Sequence, residues 1–235
     1  MKLLRFAGIF AALFSHALFS HTPLPATTEP YHWTGFYGGL NIGALKHSLN
    51  MTDNMATTFN ATIQQIGNPE LTGGFQLGYR RSLELALASG LYGLEFTGNF
   101  SDATFKSNYG SPYALYQLDA ENQLKNNFLL QLIGGMESDK TLLFIGAGLS
   151  WSRIAGQVVN VDGVPFTNSF SLNQTAFGPV VCGGIEYALF KRLSIRFKLD
   201  YIMPNSYSTY DDTQDEFGIT NTIVQGTLGI NYKIA

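Results

Sequence analysis

The sequence predicts an all-β fold, an eight-stranded antiparallel up-and-down transmembrane β-barrel with long extracellular loops and short periplasmic turns. Three features predict it: apolar residues that alternate with polar ones, connections that alternate in length, and a composition that excludes other classes. Of the 235 residues, 13% are charged, 14% are aromatic and 25 are glycine, whereas the mean hydropathy is +0.04. A helical membrane protein would need runs of about 20 apolar residues, and a disordered chain would lack these aromatic residues.

The clearest alternation lies in the segment Leu193 to Met203. Its odd positions carry large apolar side chains, and its even positions are polar except for Ile202. Successive side chains of a strand point to opposite faces, so this period of two places the apolar side chains on one face. A soluble sandwich would bury that face in its core, whereas a membrane barrel would turn it to lipid and enclose the polar face.

Seven further segments show the same period, some of them in a blurred form. They are 33–44, 71–81, 91–100, 124–136, 141–151, 174–187 and 222–234. In 124–136 the alternation is interrupted by Leu129 and Ile133. The segment 141–151 is apolar on both faces, so its orientation stays open. Eight strands are an even number, as in single-chain bacterial outer-membrane barrels.

The connections between these segments alternate in length. The long ones are 46–70, 101–123, 152–173 and 204–221, and the short ones are 82–90, 137–140 and 188–192. In an up-and-down barrel this order places every long loop at one rim and every short turn at the other. A soluble sandwich has no reason to sort its loops in this way. Loop lengths therefore favour the membrane barrel over the sandwich.

Aromatic residues near both ends of several strands are expected to form girdles at the two membrane interfaces. The predicted girdle residues are Trp33, Phe36, Tyr79, Tyr92, Phe100, Trp151, Tyr187, Tyr201 and Tyr232.

The N-terminus has the pattern of an export signal. Lys2 and Arg5 precede a short apolar run, which small residues follow, so cleavage is expected after Ala17 or after Ser20. A membrane-anchor helix is the alternative, but the apolar run is short. The expected organisation is a signal peptide at 1–20, an extended leader rich in proline and threonine at 21–32, and a barrel domain at 33–235.

Three regions of the chain resemble one known family. The first, 33–43, reads tryptophan, one residue, glycine-phenylalanine-tyrosine and then a glycine-rich strand; the others are 183–196 and 226–234. There the chain resembles the small bacterial outer-membrane proteins related to opacity proteins, and its layout resembles theirs over the whole mature chain. The resemblance implies a barrel in the cell outer membrane of a Gram-negative bacterium, in contact with outer-membrane lipid and inserted by the outer-membrane assembly machinery.

The chain departs from this family at its C-terminus. Members usually end in phenylalanine, which the assembly machinery reads. Here Ala235 is terminal, Ile234 stands near the expected position, and the last aromatic residue is Tyr232. The alternation of the final strand survives this change, so the barrel prediction stands. The departure bears on the efficiency of assembly.

Charged residues on the predicted inward faces are candidates for an interior network. They are Arg80, Glu95, Glu186, Arg196, Lys198, Asp200 and Lys233. Folding 188–192 into a turn brings Glu186 roughly opposite Arg196 across the hairpin. A barrel of eight strands is just wide enough for side chains to fill it, and a buried charge left alone costs several kcal/mol. The sequence therefore predicts paired charges that fill the bore, with a gate for a narrow ion path as the alternative.

The four long loops are rich in asparagine, threonine, serine and aromatic residues. Loops on a rigid scaffold are where binding usually resides, so their aromatic side chains are candidates for contacts with an extracellular partner. The candidates are Tyr109, Tyr113, Tyr116, Phe166, Phe170, Tyr207 and Tyr210. The alternative is that these rings only pack loop against loop.

Other chemistry finds little support in the sequence. The net charge of −3 and the lack of a basic cluster argue against a nucleic-acid partner. His32 in the leader and His47 at the start of the first long loop are not expected beside a fixed carboxylate, so catalysis is not predicted. Neither a metal site nor a cofactor is predicted. The single Cys182 excludes an intrachain disulfide and is expected to be a packing residue.

The predicted role is therefore that of a monomeric outer-membrane barrel with a structural or surface function. Adhesion or host interaction would take place through the four long loops. Two alternatives stay open: a narrow porin-like channel, and an outer-membrane enzyme that modifies lipid.

Overall fold

The structure is a computed structural model that describes most of the chain after residue 30. The described residues are 31–53, 62–66, 69–84, 89–110, 117–161, 164–165, 171–203, 207–210 and 216–234. Within them the backbone alone is described at 49–53, 62–66, 102–110, 117–122, 156–161, 164–165, 171–174, 207–210 and 216–221. The predicted signal peptide and most of the predicted leader lie outside the described residues.

The described residues form eleven strands. In chain order they are β1 Gly35–Asp53, β2 Thr62–Ile66, β3 Glu70–Glu84, β4 Ser89–Gly110, β5 Gln117–Ser138, β6 Thr141–Val161, β7 Val164–Pro165, β8 Ser171–Phe190, β9 Leu193–Ile202, β10 Tyr207–Tyr210 and β11 Glu216–Lys233. Eight of them, β1, β3, β4, β5, β6, β8, β9 and β11, form an antiparallel ring that β11 closes by pairing with β1. No helix in these ranges is both long and apolar enough to cross a membrane.

The register of the ring fixes its width. Paired residues lead from Tyr37 once around the ring through Gly78, Glu95, Gln131, Gly148, Val180, Ile202 and Ile223 to His47. The path returns to β1 ten residues beyond its start at Tyr37. Eight strands with this stagger tilt by about 40° from the barrel axis, and they enclose a bore that side chains can fill.

The strands extend well into the segments predicted as long loops. β4 and β5 pair as far as Gly110 and Gln117, and β5 and β6 pair as far as Leu118 and Val161. A strand of 22 residues such as β4 rises roughly 55 Å at this tilt, about twice the apolar band of an outer-membrane barrel. The predicted loop boundaries were wrong because a hairpin outside the membrane keeps its backbone hydrogen bonds without needing an apolar face. Alternation of apolar and polar residues therefore does not reveal these parts of the strands in the sequence.

Apolar side chains cover the outer surface of the ring, and polar ones fill its interior. On β9, the outward residues Leu199 and Tyr201 are 50% and 43% exposed, whereas Arg196, on the inward face of the same strand, is 1% exposed. The sandwich alternative is therefore excluded, since it would bury the apolar face. The faces of β5 and β6 also become clear: Leu129 and Ile133 point inward, and on β6 the even positions point inward while the odd ones point outward.

Two rims follow from this topology. The short-turn rim carries the turns at 139–140 and 191–192, and the long-loop rim carries the hairpins that end near Gly110 and Val161. Near the short-turn rim the exposed aromatic residues include Phe36, Tyr79, Tyr92, Tyr187, Phe190 and Tyr232. Nearer the long-loop rim, the outward ones include Phe100, Phe128, Trp151, Phe177 and Tyr201.

Trp33 does not belong to these girdles. It is 5% exposed and packs inside the barrel with Leu91, Leu142 and Phe144, and the ring of Tyr31 lies 4.5 Å from its own. A tryptophan just before the first strand fits a girdle by position alone. The chain instead turns it across the short-turn end of the bore, where it is removed from water.

Candidate functional site

The interior of the barrel holds a cluster of six charged residues, which we call the charged cluster. Its members are Arg80, Glu95, Glu186, Arg196, Lys198 and Asp200, each at most 2% exposed. Arg80 Nη2 lies 2.7 Å from Glu186 Oε2, and Lys198 Nζ lies 3.0 Å from Glu95 Oε1. Three positive and three negative groups meet here, so the cluster can be neutral while every member stays ionised.

One strand supplies half of the charged cluster. Arg196, Lys198 and Asp200 alternate along β9 and therefore all point into the bore. Glu186 pairs with Arg196 in the register of the β8–β9 hairpin, and Lys198 Nζ lies 3.2 Å from Asp200 Oδ1. Glu95 comes from β4, four strands away from β9 in either direction around the ring. The pairs of Glu95 with Arg196 and Lys198 therefore span the whole bore.

Polar side chains that the sequence did not single out complete the charged cluster. Tyr37 donates to Glu95 Oε2 at 2.5 Å, and Gln131 accepts from Lys198 at 2.5 Å and donates to Asp200 at 3.0 Å. Ser194 and Asn231 both donate to Glu186 Oε1, at 2.5 Å and 3.0 Å. Each of these residues lies on the inward face of its strand, and that alternation is the one signal that could have found them.

Two arginines also lie against aromatic rings. The guanidinium carbon of Arg80 is 3.8 Å from the ring centre of Tyr37, and that of Arg196 is 4.1 Å from the ring centre of Phe144. A cation over a ring face is attracted by the quadrupole of the ring, most strongly where water is excluded. These contacts hold both guanidinium groups in place inside the bore.

Lys233 lies apart from the charged cluster. Its Nζ donates to the main-chain oxygen of His32 at 2.9 Å, at the short-turn rim. The residue faces inward, as its position in β11 requires, but it is the last residue of that strand. At the rim its ammonium group reaches the chain that enters β1 instead of the carboxylates deeper in the bore.

Apolar side chains occupy both ends of the bore. The outer apolar cluster, near the long-loop rim, consists of Leu45, Leu124, Leu129, Ile154, Ala176, Val180, Ile202 and Ile223, all between 0% and 6% exposed. The inner apolar cluster, near the short-turn rim, consists of Trp33, Leu91, Ile133, Leu142, Phe144, Cys182 and Ala188. The inner apolar cluster and the charged cluster share the same depth of the bore: on β8 Glu186 lies between Cys182 and Ala188, and Cys182 pairs with Asp200. Any ion that crossed the bore would have to displace these buried side chains, together with buried polar residues such as Asn127, Ser152 and Gln225.

A pocket of about 390 Å³ opens at the short-turn rim. It is lined by Tyr31, His32, Trp33, Thr34, Ser82, Leu83, Glu84, Ser89, Glu137 and Asp139. Thr34 donates to Ser82 Oγ at 2.9 Å, and Ser82 donates to Glu137 Oε2 at 3.0 Å. Ser82 is therefore hydrogen-bonded directly to the carboxylate of Glu137. The side chain of His32 is exposed. Among the described residues no group of three metal-ligating side chains could hold a metal ion.

His47 was placed wrongly by the sequence. It is not in a loop but in β1, which continues to Asp53, and its side chain is 2% exposed inside the barrel. Glu70 of β3 pairs with Leu45, two residues before His47, so a carboxylate residue does stand on the neighbouring strand. The error has the same cause as the loop boundaries: β1 continues beyond its apolar part.

The predicted loop contacts lie largely beyond what the structure describes. Tyr113, Tyr116, Phe166 and Phe170 are outside the described residues. For the others only the backbone is described: Tyr109 pairs with Leu118, Tyr207 with Ile219 and Tyr210 with Glu216. These three residues belong to hairpins of the long-loop rim, and their role in binding stays a prediction.

The chain matches no protein-family model and no curated protein sequence. Among solved structures it is similar to the outer membrane protein OprG from Pseudomonas aeruginosa, with a TM-score of 0.58 and 12% sequence identity, over 88% of this chain and 99% of that chain. The fold is that of a small outer-membrane β-barrel. The resemblance in layout to small outer-membrane proteins is thus confirmed at the level of the fold.

Two further outer-membrane proteins are similar at lower TM-scores. Ail, the attachment invasion locus protein of Yersinia pestis, has a TM-score of 0.38 and 11% identity over 85% of this chain and 99% of that chain. Neisserial surface protein A has a TM-score of 0.38 and 13% identity over 86% of this chain and 98% of that chain.

Proposed function

We propose that this chain is a monomeric barrel of the bacterial outer membrane, closed to ions, that acts as a structural and surface protein. The observation that carries the proposal is that buried side chains fill the bore: the charged cluster and both apolar clusters are almost completely removed from solvent inside the ring. A bore filled in this way serves as a rigid plug. What remains available for function is the outer surface and the long-loop rim.

The outer surface supports the proposed location. Outward apolar residues run from Phe36, which is 57% exposed, through Leu40 at 73% to Ile42 at 60% along β1 alone. In water such a surface would be a large exposed apolar patch. In a bilayer it faces acyl chains, and the closed ring leaves no unpaired sheet edge in the lipid.

The long-loop rim supports a surface role. The backbone of its hairpins stays paired well beyond Phe100, an outward residue of β4, as the pairing of Gly110 with Gln117 illustrates. Paired strands hold the ends of these connections in a fixed place, which suits a surface that contacts another cell or a host molecule. We propose adhesion through these hairpins as the finer role.

Conductance measurements test the closed bore. Protein refolded in detergent and added to planar bilayers is expected to give no stable current steps at 100 mV. A folded protein, identified by a gel shift between unboiled and boiled samples, that conducts in regular steps would overturn the plug and favour the porin-like channel.

A hairpin deletion tests the surface role. Removing 104–123, whose first and last residues pair in the register of β4 and β5, shortens one hairpin and leaves the ring intact. The shortened protein is expected to fractionate with the outer membrane and to shift on an unboiled gel as before, while adhesion of the producing cells falls. Unchanged adhesion in all four single-hairpin deletions would contradict the proposal.

A further inference from the structure

The sheet of the barrel divides into two halves at the long-loop rim. β4, β5, β6 and β8 stay paired with one another beyond the ring, and so do β10, β11, β1 and β2. Among the described residues no ladder joins the two halves there: β10 pairs only with β11 and β2 only with β1. We call the two gaps the β8–β10 seam and the β2–β4 seam. Each half has four strands, so the seams lie on opposite sides of the mouth.

A proline begins the β8–β10 seam. The ladder between β8 and β9 ends with the pair of Val180 and Ile202, and just beyond it the main-chain oxygen of Pro179 accepts from the N–H of Met203 at 3.0 Å. On that same side Pro179 has no N–H to donate in return, because its ring replaces the hydrogen. The ladder therefore loses its next donor at Pro179, which gives the seam a cause in the sequence.

Beyond Pro179 one edge of β8 is open. Over 171–179 this strand is paired with β6 on one side only, within the part of the chain that the structure describes. The N–H and C=O of every second residue point to the same side of a strand. The residues whose main chain points away from β6, as the oxygen of Pro179 does, are Phe177, Thr175, Asn173 and Ser171. Phe177 is an outward ring near the long-loop rim, and Thr175 beyond it is exposed.

The two seams differ in how their edges are protected. Sheet edges in water commonly carry charged side chains or proline, which discourage the addition of a foreign strand. The β4 edge, 101–110, includes Asp102 and Lys106, whereas neither 171–178 nor β10 contains a charged residue or a proline. Tyrosine and threonine in β10 also favour extended structure. The β8–β10 seam is thus the less protected of the two and the better suited to accept a strand.

We propose that the β8–β10 seam binds an extended polypeptide segment of an external partner, which adds as a strand to the open edge of β8. A row of alternating main-chain donors and acceptors is complementary to another peptide main chain. The edge lies beyond the outward ring of Phe177, and therefore on the side of the long-loop rim. The inference rests on the proposed function, because it requires that this rim lies outside the cell and gives adhesion a mode of contact.

Geometry argues against a second copy in the same membrane as the partner. Two barrels side by side would be related by an axis along the membrane normal. Their β8 strands, each tilted by about 40°, would then cross at about 80° where they meet. Strands at such an angle do not form a ladder, so the open edge fits a segment that is free to align with β8.

Binding of a designed strand peptide tests the seam. The probe is a short, fluorescently labelled peptide of alternating threonine and valine between terminal lysines. Its binding to protein refolded in detergent micelles is followed by fluorescence anisotropy, and it is expected to bind. The same peptide with N-methyl groups on its four central residues loses donors on both edges while becoming more apolar. This second peptide is expected not to bind.

A proline substitution tests the edge from the side of the protein. Thr175→Pro removes one donor that points away from β6, so the β6 ladder is kept. It is expected to weaken peptide binding about five- to ten-fold, the effect of one hydrogen bond. The matched control Thr175→Val keeps the N–H and is expected to bind like the wild type. Folding of each variant is checked by its gel shift, and if Thr175→Pro does not fold, the two peptides decide the test.

Three results would overturn the inference. Equal binding of the two peptides, or equal binding by Thr175→Pro and the wild type, would show that the edge of β8 does not accept a strand. A dimer in sedimentation runs without peptide that Thr175→Pro dissociates would assign the edge to a second copy.

Adhesion of producing cells separates this inference from the proposed function. Adhesion that falls in a hairpin deletion but not in Thr175→Pro would overturn the seam alone. Wild-type cells that do not adhere would overturn the proposed adhesion instead, whatever the peptide does.

Discussion

Glu95 of β4 accepts hydrogen bonds from Arg196 and Lys198 of β9, on the opposite wall of the barrel. Two walls of the ring are thus joined through a single carboxylate, which also accepts from Tyr37. All of these groups are removed from water. Removing one partner of a buried ion pair leaves the other charge buried without compensation. Such a change therefore costs more free energy than the intact pair contributes to stability.

The substitution Glu95→Gln is expected to lower the free energy of unfolding by about 3–5 kcal/mol, because it leaves Arg196 and Lys198 without their shared counter-charge. Urea titration of folded protein in lipid micelles measures this change. The control Glu84→Gln alters an exposed carboxylate at the short-turn rim and is expected to have little effect. Equal stability of the two variants would mean that the charged cluster does not hold the walls together.

Trp33→Ala is expected to cost about 3–5 kcal/mol, as for other large-to-small changes in a packed interior. Trp33 closes the short-turn end of the bore, so its removal should also expose the entering chain to added protease. Unfolding titration and limited proteolysis measure the two effects. Tyr92→Ala serves as the comparison, since Tyr92 is an outward ring that is 49% exposed. A larger loss in Tyr92→Ala would contradict the role of Trp33 as a plug.

Gly148→Ala is expected to prevent or strongly delay folding of the barrel. A methyl group at this inward position would overlap the main-chain oxygen of Leu130 on the neighbouring strand, and overpacking commonly costs about 1–3 kcal/mol or more. The matched control is Gly183→Ala, whose methyl group would find its nearest atom at 3.8 Å. Gel shift after refolding measures the outcome. Normal folding of both variants would show that the bore has spare room at Gly148.

Cys182 reports on access to the bore. Its thiol is free and buried in the inner apolar cluster, on the residue that pairs with Asp200 of the charged cluster, so a water-soluble maleimide is expected to react with it only after unfolding in urea. Thr175→Cys in a Cys182→Ser background places a thiol at an exposed position of the same strand and should react at once. Rapid labelling of Cys182 in the folded protein would reveal an open path through the bore.

Much of the ring was predictable from the sequence, and the parts that were not share a physical cause. Alternation identified the faces of β9 and of most other strands because a polar interior contrasts with an apolar exterior. That contrast disappears where inward residues are themselves apolar, as Leu129 and Phe144 are. The fourth and fifth predicted strands were ambiguous for this reason.

The sequence predicted the charged residues of the charged cluster but not their uncharged hydrogen-bond partners. An inward arginine or glutamate in a narrow barrel must be paired, so its sequence position is informative. Tyr37 and Gln131 are uncharged and need no counter-charge, so the sequence does not distinguish them from other inward residues. Lys233 was grouped with the charges because alternation gives the face of a residue but not its depth along the bore, and only the register supplies the depth.

The ring closes where β11 pairs with β1, and its stagger of ten residues, from Tyr37 to His47, fixes the width of the barrel. A wider pore would need another pair of strands or a different stagger, and either would break a complete ladder of backbone hydrogen bonds in a medium that offers none in exchange. Any permeation would therefore require movements of the interior side chains inside a barrel of fixed diameter. A change from the proposed closed bore to a conducting one would therefore have to come from the interior side chains and not from the sheet.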